Sequence, residues 1–154
     1  MPSLSSRASV GILCLTLSLG AVTACRTAPL VDPPPAPPAA TPELTRAAII
    51  RALGTYHYII DEESPGRIRA RMQRNSWTMV VEVHYGQDIT VHYADSINLR
   101  YQVKDDVAYI HKNYNGRVVE LVTEIERQIE IVTLEAKGLP APPPPANPPA
   151  PATH

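Results

Sequence analysis

The sequence predicts an α+β fold, in which two helices flank an antiparallel sheet of four to five strands in sequence and both pack on one of its faces. Apolar residues recur at helical spacing at both ends of residues 42–139 and alternate with polar residues in between. Of the 17 prolines, only Pro65 lies between Glu43 and Leu139. Because helices and central strands exclude proline, residues 42–139 are predicted to form a single domain.

The first helix is predicted to begin directly after Thr41. Threonine is a favoured cap, Pro42 suits the first helical position, and Glu43 meets the positive end of the helix dipole. Gly54 can end the helix in the left-handed region. The apolar stripe of this helix consists of Leu44, Ala48, Ile49, Ala52 and Leu53.

The next three segments are predicted to be strands. Residues 55–63 form the first, and a turn follows in which Pro65 and Gly66 hold the positions that a type II turn favours. Residues 67–74 and 76–85 then alternate between apolar and polar side chains. Their inward positions are Ile68, Ala70, Met72, Trp77, Met79, Val81, Val83 and Tyr85.

The loop after Tyr85 sets the register of the next hairpin. A three-residue loop at 86–88 pairs Val83 with Val91 on the apolar face and Glu82 with His92 on the outer face, whereas a two-residue loop would mix the faces.

The segment 89–103 keeps its apolar residues at odd positions, with Asp95 as the exception. We therefore expect a bend or bulge between Ala94 and Ser96 that divides the segment into two strands. The expected inward positions are Ile89, Val91, Tyr93, Ile97, Leu99, Tyr101 and Val103.

A long final helix is predicted from about His111 or Lys112 to Lys137, where Gly138 and Pro140 stop it. Its apolar stripe contains Tyr114, Val118, Leu121, Val122, Ile125, Ile129 and Val132, and its glutamates at 120, 124, 126 and 130 lie largely outside the stripe. Because only one sheet face is apolar, both helices are predicted to cover that face.

Residues 1–24 have the pattern of a secretory signal. Arg7 supplies the positive charge, and Val10–Leu19 is an apolar run too short to span a bilayer. Shortly after this run comes the tetrapeptide 22–25, Val-Thr-Ala-Cys, which resembles the lipobox of bacterial lipoproteins. We therefore expect Cys25 to carry a diacylglycerol as the covalent lipid, with no other cofactor. The alternative is an ordinary secreted protein with an incidental cysteine.

This lipid would place the domain in the bacterial cell envelope, facing the periplasm. Several acyl chains make a lasting anchor, whereas one binds membranes only marginally. Arg26 follows the cysteine where lipoproteins retained in the inner membrane usually carry aspartate, which favours the outer membrane. The only other cysteine, Cys14, lies in the signal, so the mature domain is expected to have no disulfide.

Two proline-rich arms border the domain. Residues 25–41 are predicted to be a polyproline II tether that cannot pack a core and holds the domain away from the membrane. Residues 140–154 are predicted to be a disordered tail, which solubilises the protein or contacts a proline-binding domain or the cell wall.

The outer face of the sheet is a candidate contact for an anionic partner, although cross-strand ion pairs exposed to solvent are the simpler interpretation. This outer face consists of Arg67, Arg69, Arg71, Glu82, His84 and His92. The histidines have no ligand spacing that indicates a metal. The net charge of −1 argues against nucleic acid as a partner.

A polar cluster is predicted where the sheet leads into the last helix. It contains Tyr93, Asp95, Ser96, Asn98, His111, Tyr114 and Asn115. Three interpretations stay open: a hydrogen-bonded structural knot, a ligand site, and a hydrolase with Ser96 activated by His111 and Asp95. The chain has no Gly-x-Ser-x-Gly elbow and no glycine-rich phosphate loop.

Three stretches, GRIRA, YADSINLRY and IHKNYNGRVVEL, resemble an uncharacterised family of small proteobacterial lipoproteins. The family has an aromatic residue where this chain has Arg117, so the resemblance does not extend to an aromatic platform there. It implies a periplasm-facing lipoprotein and brings no established activity. We therefore expect a non-enzymatic interaction or envelope-assembly module whose partners are the membrane and an envelope protein or the cell wall. A small-ligand binder or a hydrolase is the alternative.

Overall fold

The architecture is described here from a computed structural model, which covers residues 26–143. The signal segment, Cys25 and the tail from residue 144 onward lie outside the described residues. The elements are β1 (Thr27–Pro29), α1 (Pro42–Thr55), β2 (Ile59–Ser64), β3 (Arg67–Arg74), β4 (Trp77–Tyr85), β5 (Ile89–Ile97), β6 (Gln102–Lys104), β7 (Val107–His111) and α2 (Asn113–Ala136). The α+β class is confirmed, with a four-stranded sheet β2-β3-β4-β5 and a second, three-stranded sheet β1-β7-β6.

Helix α1 begins as predicted, because the Thr41 side chain accepts a hydrogen bond from the Leu44 N–H at 3.3 Å. Its end differs from the prediction. The helix includes Thr55, and the chain then reverses through His57, whose φ is 60°. The first strand of the main sheet therefore begins at Ile59 and not at Thr55.

Strands β3 and β4 have the predicted facing. Ile68, Ala70 and Met72 are buried on the inner face. The loop after β4 has three residues, and it pairs Val83 with Val91 as predicted. The register of this hairpin is therefore confirmed.

The predicted bulge is present in β5, but it does not divide the strand. Val81 pairs with Tyr93 and Val80 with Asp95, which leaves Ala94 as the extra residue. The strand continues to Ile97.

The bulge also changes which side chains of the strand face inward. Before it, odd positions face the core, whereas beyond it the even position Ser96 lies opposite the buried Met79. Three residues that were predicted to face inward are exposed: Ile97, Tyr101 and Val103. Ile97 is exposed because of the bulge, whereas Tyr101 and Val103 lie beyond the main sheet. Leu99, which was also predicted to face inward, is buried.

The chain beyond β5 leaves the main sheet, where a fifth strand was the alternative expectation. Asn98 and Arg100 have positive φ values of 58° and 55°, which turn the chain away. Strands β6 and β7 then form a hairpin around Asp105 and Asp106, and β1 pairs with the other side of β7.

The proline-rich segment before α1 packs on the domain, contrary to the expected extended spacer. Thr27–Pro29 forms strand β1, and Ala36 is only 1% exposed. Ala36 exchanges two backbone hydrogen bonds with Ile89 on the edge of β5, at 2.9 and 2.8 Å. Prolines are tolerated here because an edge position leaves one side of the backbone unpaired.

Both helices and the inner face of the main sheet share one apolar core. Its largest fully buried side chains include Ile49 and Leu53 of α1, Ile68 of β3, and Leu121 and Ile125 of α2. Burial of each such side chain contributes about 1.5–3 kcal/mol to folding. The two helices therefore lie on the same face of the sheet, as predicted, and the other face is left open.

Candidate functional site

The structure divides the polar cluster into side chains that bond locally and side chains that line a cavity. At the end of β5, the Tyr93 hydroxyl and the Ser96 Oγ lie 3.0 Å apart. The Ser96 N–H donates to Asp95 Oδ1 at 2.7 Å. These contacts satisfy hydrogen-bonding groups at the end of a strand, as the interpretation of a structural knot requires.

Two asparagines of the cluster tie distant segments together. The Asn98 side-chain amide donates to the Ser76 carbonyl in the turn between β3 and β4. The Asn115 amide donates to the Pro29 carbonyl at 2.8 Å, and its Oδ1 accepts from the Val31 N–H at 3.4 Å. The two hydrogen bonds of Asn115 join the first turn of α2 to the proline-rich segment, and the sequence did not indicate this contact.

The remaining members line a cavity of about 320 Å³ between the end of the main sheet and the start of α2. Its lining residues are Trp77, Met79, Asn98, Leu99, His111, Asn113, Tyr114 and Arg117. Sequence reasoning found three of them and assigned Trp77, Met79 and Leu99 to the core. Their position on the cavity wall depends on where the main sheet ends, which periodicity does not define.

Tyr114 is the most unusual residue of this cavity. It is 2% exposed, and its hydroxyl has no hydrogen-bond partner among residues 26–143. Burial raises the pKa of this phenol well above its ordinary value, so the hydroxyl is protonated and available as a donor. Its ring packs edge-on against Tyr93, with centroids 5.6 Å apart.

The geometry required of a serine nucleophile is not found in the described part of the chain. The Ser96 hydroxyl bonds to Tyr93, and His111 Nδ1 accepts instead from the Asn113 N–H at 3.4 Å. Within residues 26–143 no hydrogen bond joins Ser96 to His111. Activation of a serine requires that bond, so this arrangement does not favour the hydrolase interpretation.

The arginines of the outer face are neutralised by neighbouring carboxylates. Arg69 lies 3.0 Å from Glu82, which in turn lies opposite it on β4. Arg67 lies 2.8 Å from Glu62, and Arg71 pairs with Asp61. This face therefore has mixed charge, which weakens its fit to a strongly anionic partner.

The histidines of the outer face also have acidic neighbours. His84 Nε2 lies 3.3 Å from Glu82, and this contact, followed by the one from Arg69, holds the pKa of Glu82 below its ordinary value. His92 Nδ1 lies 2.7 Å from Asp32 Oδ2, a partner from the proline-rich segment. Across residues 26–143, no three histidine, cysteine, aspartate or glutamate side chains form a group that could hold a metal ion.

The two edges of the main sheet differ. The β5 edge is covered in part by Ala36, whereas within residues 26–143 no strand pairs with the outer side of β2. Two large apolar side chains on β2 are exposed, Ile59 at 52% and Ile60 at 36%.

The chain matches no protein-family model, no curated protein and no solved structure. The resemblance to small proteobacterial lipoproteins therefore stays a prediction. Among residues 26–143, no helix has both the length and the apolar character that crossing a bilayer requires.

Proposed function

We propose that the protein is a lipid-anchored lipoprotein of the bacterial cell envelope, whose domain faces the periplasm and binds another envelope protein without catalysing a reaction. The outer membrane is the favoured membrane because Arg26 follows the lipobox cysteine. One observation carries the interaction role: in the described part of the chain, residues 26–143, no strand pairs with the outer side of the edge strand β2, which has two exposed isoleucines.

An open edge strand is suited to binding an extended segment of a partner. Its unpaired N–H and C=O groups offer a row of main-chain hydrogen bonds, while side chains on its two faces provide selectivity. Ile59 and Ile60 point to opposite faces of the sheet, so a partner strand would contact both. The outer face, with its arginines already paired, is the weaker contact.

The anchor can be tested by mass spectrometry of the protein purified from cell envelopes. We expect residues 1–24 to be absent and Cys25 to carry a diacylglyceryl group, and Cys25→Ser to move the protein out of the membrane fraction. An unmodified thiol on the cell-derived protein would contradict the anchor.

The edge can be tested by crosslinking in intact envelopes, comparing Ile60→Lys with wild type. A lysine on an edge strand opposes pairing, and this side chain is exposed enough for the fold to tolerate it. Val119→Lys, on the exposed side of α2, is the matched control. We expect only Ile60→Lys to lose a crosslinked partner; if a triple substitution of Arg67, Arg69 and Arg71 by glutamate alone removes it, the contact is the outer face instead.

Small-ligand binding is a second candidate, supported by the buried Tyr114 hydroxyl beside the cavity. Native mass spectrometry of the protein purified from cells would detect a bound small molecule. Asn113→Trp fills the cavity from an exposed position of its lining, and Val119→Trp is the control on the same helix. A bound mass that disappears only in Asn113→Trp would favour this candidate, and no bound mass in wild type would count against it.

A further inference from the structure

We infer that the end of the domain next to Cys25 lies directly against the bilayer and binds anionic phospholipid headgroups. This inference rests on the proposed acylation of Cys25. The contact surface, called here the basic end, consists of Arg26, Arg74, Arg100, Lys112 and Arg117. It concerns orientation on the membrane, and it is independent of the partner edge on β2.

The first step is that the anchor has almost no tether. The Arg26 carbonyl accepts a hydrogen bond from the Lys112 N–H at 2.9 Å, and β1 begins at the next residue, Thr27. Arg26, the residue that follows Cys25 in the chain, is therefore fixed on the domain, and one peptide bond separates it from the proposed lipidation site. A free spacer of residues 25–41 could have extended on the order of 50 Å at about 3.1 Å per residue.

The second step is that the backbone brings the cations of the basic end together. The His111 N–H donates to the Leu99 carbonyl at 2.8 Å. Arg100 directly follows Leu99 and Lys112 directly follows His111, so both lie at the same end of the small sheet. Arg26 is joined to Lys112 by the hydrogen bond described above. All three of these side chains are exposed.

The main sheet and α2 add the other two cations. The Asn98 side chain bonds to Ser76 in the β3–β4 turn, which brings Arg74 to the same end as Arg100. Arg117 is in the first turns of α2 and lines the cavity together with Asn98.

The third step is charge. Only Arg117 of the five is paired with an acidic side chain, Glu120 at 3.0 Å. Within residues 26–143, the other four cations make no salt bridge, whereas the arginines of the outer face are all paired. A chain with a net charge of −1 therefore has one unneutralised basic end, next to the proposed lipid.

The fourth step is that exposed apolar and aromatic side chains accompany these charges. Ile97 is 58% exposed and Tyr101 is 44% exposed, and the Tyr101 ring stacks on Tyr93 with centroids 4.6 Å apart. Trp77, at the start of β4, is partly buried and lines the cavity together with Asn98 and Arg117. Tyrosine and tryptophan suit a membrane interface, where one end of the ring system is apolar and the other is wet.

These features favour an anionic bilayer over a soluble partner. Basic residues close to a membrane surface are each attracted by the negative potential of anionic lipids. The anchor would hold the basic end at a high effective concentration next to those headgroups, so weak individual contacts are sufficient.

The position of Trp77 allows a direct test, since it is the only tryptophan of the chain. The acylated protein is reconstituted into vesicles of phosphatidylcholine, with or without phosphatidylglycerol, that contain a headgroup spin-labelled lipid. We expect Trp77 fluorescence to be quenched, and quenched more when phosphatidylglycerol is present. A control variant combines Trp77→Tyr with Leu139→Trp, and it should show no quenching. Leu139 follows the far end of α2, a helix of 24 residues that is about 36 Å long at 1.5 Å per residue.

The charges are tested with two double variants of equal charge change. Arg100→Glu with Lys112→Glu should abolish the extra quenching on anionic vesicles, whereas Arg46→Glu with Lys137→Glu, remote from the basic end, should retain it. Equal quenching on both lipid mixtures, or retention in the first variant, would overturn headgroup recognition. Loss of a crosslinked envelope protein in the first variant with quenching unchanged would identify a protein contact instead.

The two proposals fail in different ways. Mass spectrometry of the same sample reports whether Cys25 is acylated. An acylated protein whose Trp77 is not quenched overturns the membrane contact alone, whereas an unacylated protein purified from cells overturns the anchor and the inference that depends on it.

Discussion

At the scale of single residues, the two most deeply buried tyrosine hydroxyls have different environments. The Tyr58 hydroxyl lies 3.7 Å from the Met79 sulfur, whereas the Tyr114 hydroxyl has no partner among residues 26–143. A buried polar group without a hydrogen bond costs about 1–3 kcal/mol. Tyr114 therefore retains a group that opposes folding, at the wall of the cavity.

We expect Tyr114→Phe to raise the free energy of unfolding by about 1 kcal/mol, since it removes the unpaired hydroxyl and keeps the ring. Urea denaturation followed by circular dichroism measures this change. Tyr58→Phe is the control, and it should give no gain because that hydroxyl contacts sulfur. A destabilised Tyr114→Phe would indicate that water or a ligand bonds to the hydroxyl in solution.

Glu124 shows how an acidic residue is accommodated at the edge of the core. Predicted to lie outside the apolar stripe, it is buried on α2 and accepts hydrogen bonds from Arg127 at 2.8 and 2.6 Å and from Gln128 at 2.9 Å. The Arg127 contact is the main reason that the pKa of Glu124 is below its ordinary value. Helical periodicity cannot reveal such a pair, because the arginine neutralises a position that would otherwise be apolar.

A lowered pKa means that the carboxylate of Glu124 stabilises the fold above the pKa of the unfolded chain and stops doing so as the pH falls through its folded value. We expect Glu124→Gln to lower the free energy of unfolding at pH 7 by about 1–2 kcal/mol, since it removes charge-assisted bonds. The difference from wild type should shrink as urea denaturation is repeated towards pH 3. Glu120→Gln, at an exposed position of the same helix, should show little change at any pH. A deficit that is independent of pH would contradict the pair.

At the scale of elements, the β2–β3 turn depends on one backbone conformation. Gly66 has a φ of 77°, and an added Cβ would lie 3.2 Å from the Tyr85 carbonyl oxygen. The same glycine carbonyl accepts the Tyr85 N–H at 2.9 Å, so the turn and the end of β4 are held together. A side chain at this position would strain both.

We expect Gly66→Ala to lower the free energy of unfolding by about 1–2 kcal/mol, because alanine is disfavoured at positive φ and the neighbouring atom is backbone. Gly86→Ala is the matched control, since a Cβ there meets nothing within 4 Å. Thermal and urea denaturation of both variants would measure the difference. Equal stability of the two would mean that the turn adapts to a side chain.

The elements that could be predicted are those specified by local pattern. The cap at Thr41, the stripe of α2 and the loop at 86–88 each depend on neighbouring residues, and all three are found in the structure. Strand β1 could not be predicted, because its pairing with β7 joins residues at least 80 positions apart and its composition resembles a linker. The inward facing predicted for Ile97 was wrong, because a single bulge at Ala94 reverses the alternation.

The candidate site follows the same division. The polar cluster was recognised as a set of residues that could hydrogen-bond to backbone, and Asp95, Asn98 and Asn115 do so. The cavity depends on the distance between the end of the main sheet and the start of α2, which is a property of packing and not of any short segment. Arg117 and Trp77 could therefore be named from the sequence, but not placed on its wall.

At the scale of the whole molecule, the proline-rich segment connects the proposed anchor to both sheets. It pairs with β7 through β1, contacts α2 through Asn115, and reaches the edge of β5 at Ala36. A free spacer would let the domain rotate freely relative to the membrane. A segment that is fixed to the domain at three places would instead restrict the orientation of the domain relative to the proposed anchor. The stability of the domain should therefore depend on this segment.

Ala36 is the position where that dependence can be measured. It is almost fully buried against Ile89, so Ala36→Asp would place a carboxylate without a cationic partner inside the core. We expect it to lower the free energy of unfolding by about 3 kcal/mol, and to increase amide hydrogen exchange at Ile89, whose N–H donates to the Ala36 carbonyl. Ala40→Asp is the control at an exposed position of the same segment, and it should be close to neutral. If both variants are neutral, the segment is a free linker in solution, and the short connection between Cys25 and the basic end is lost with it.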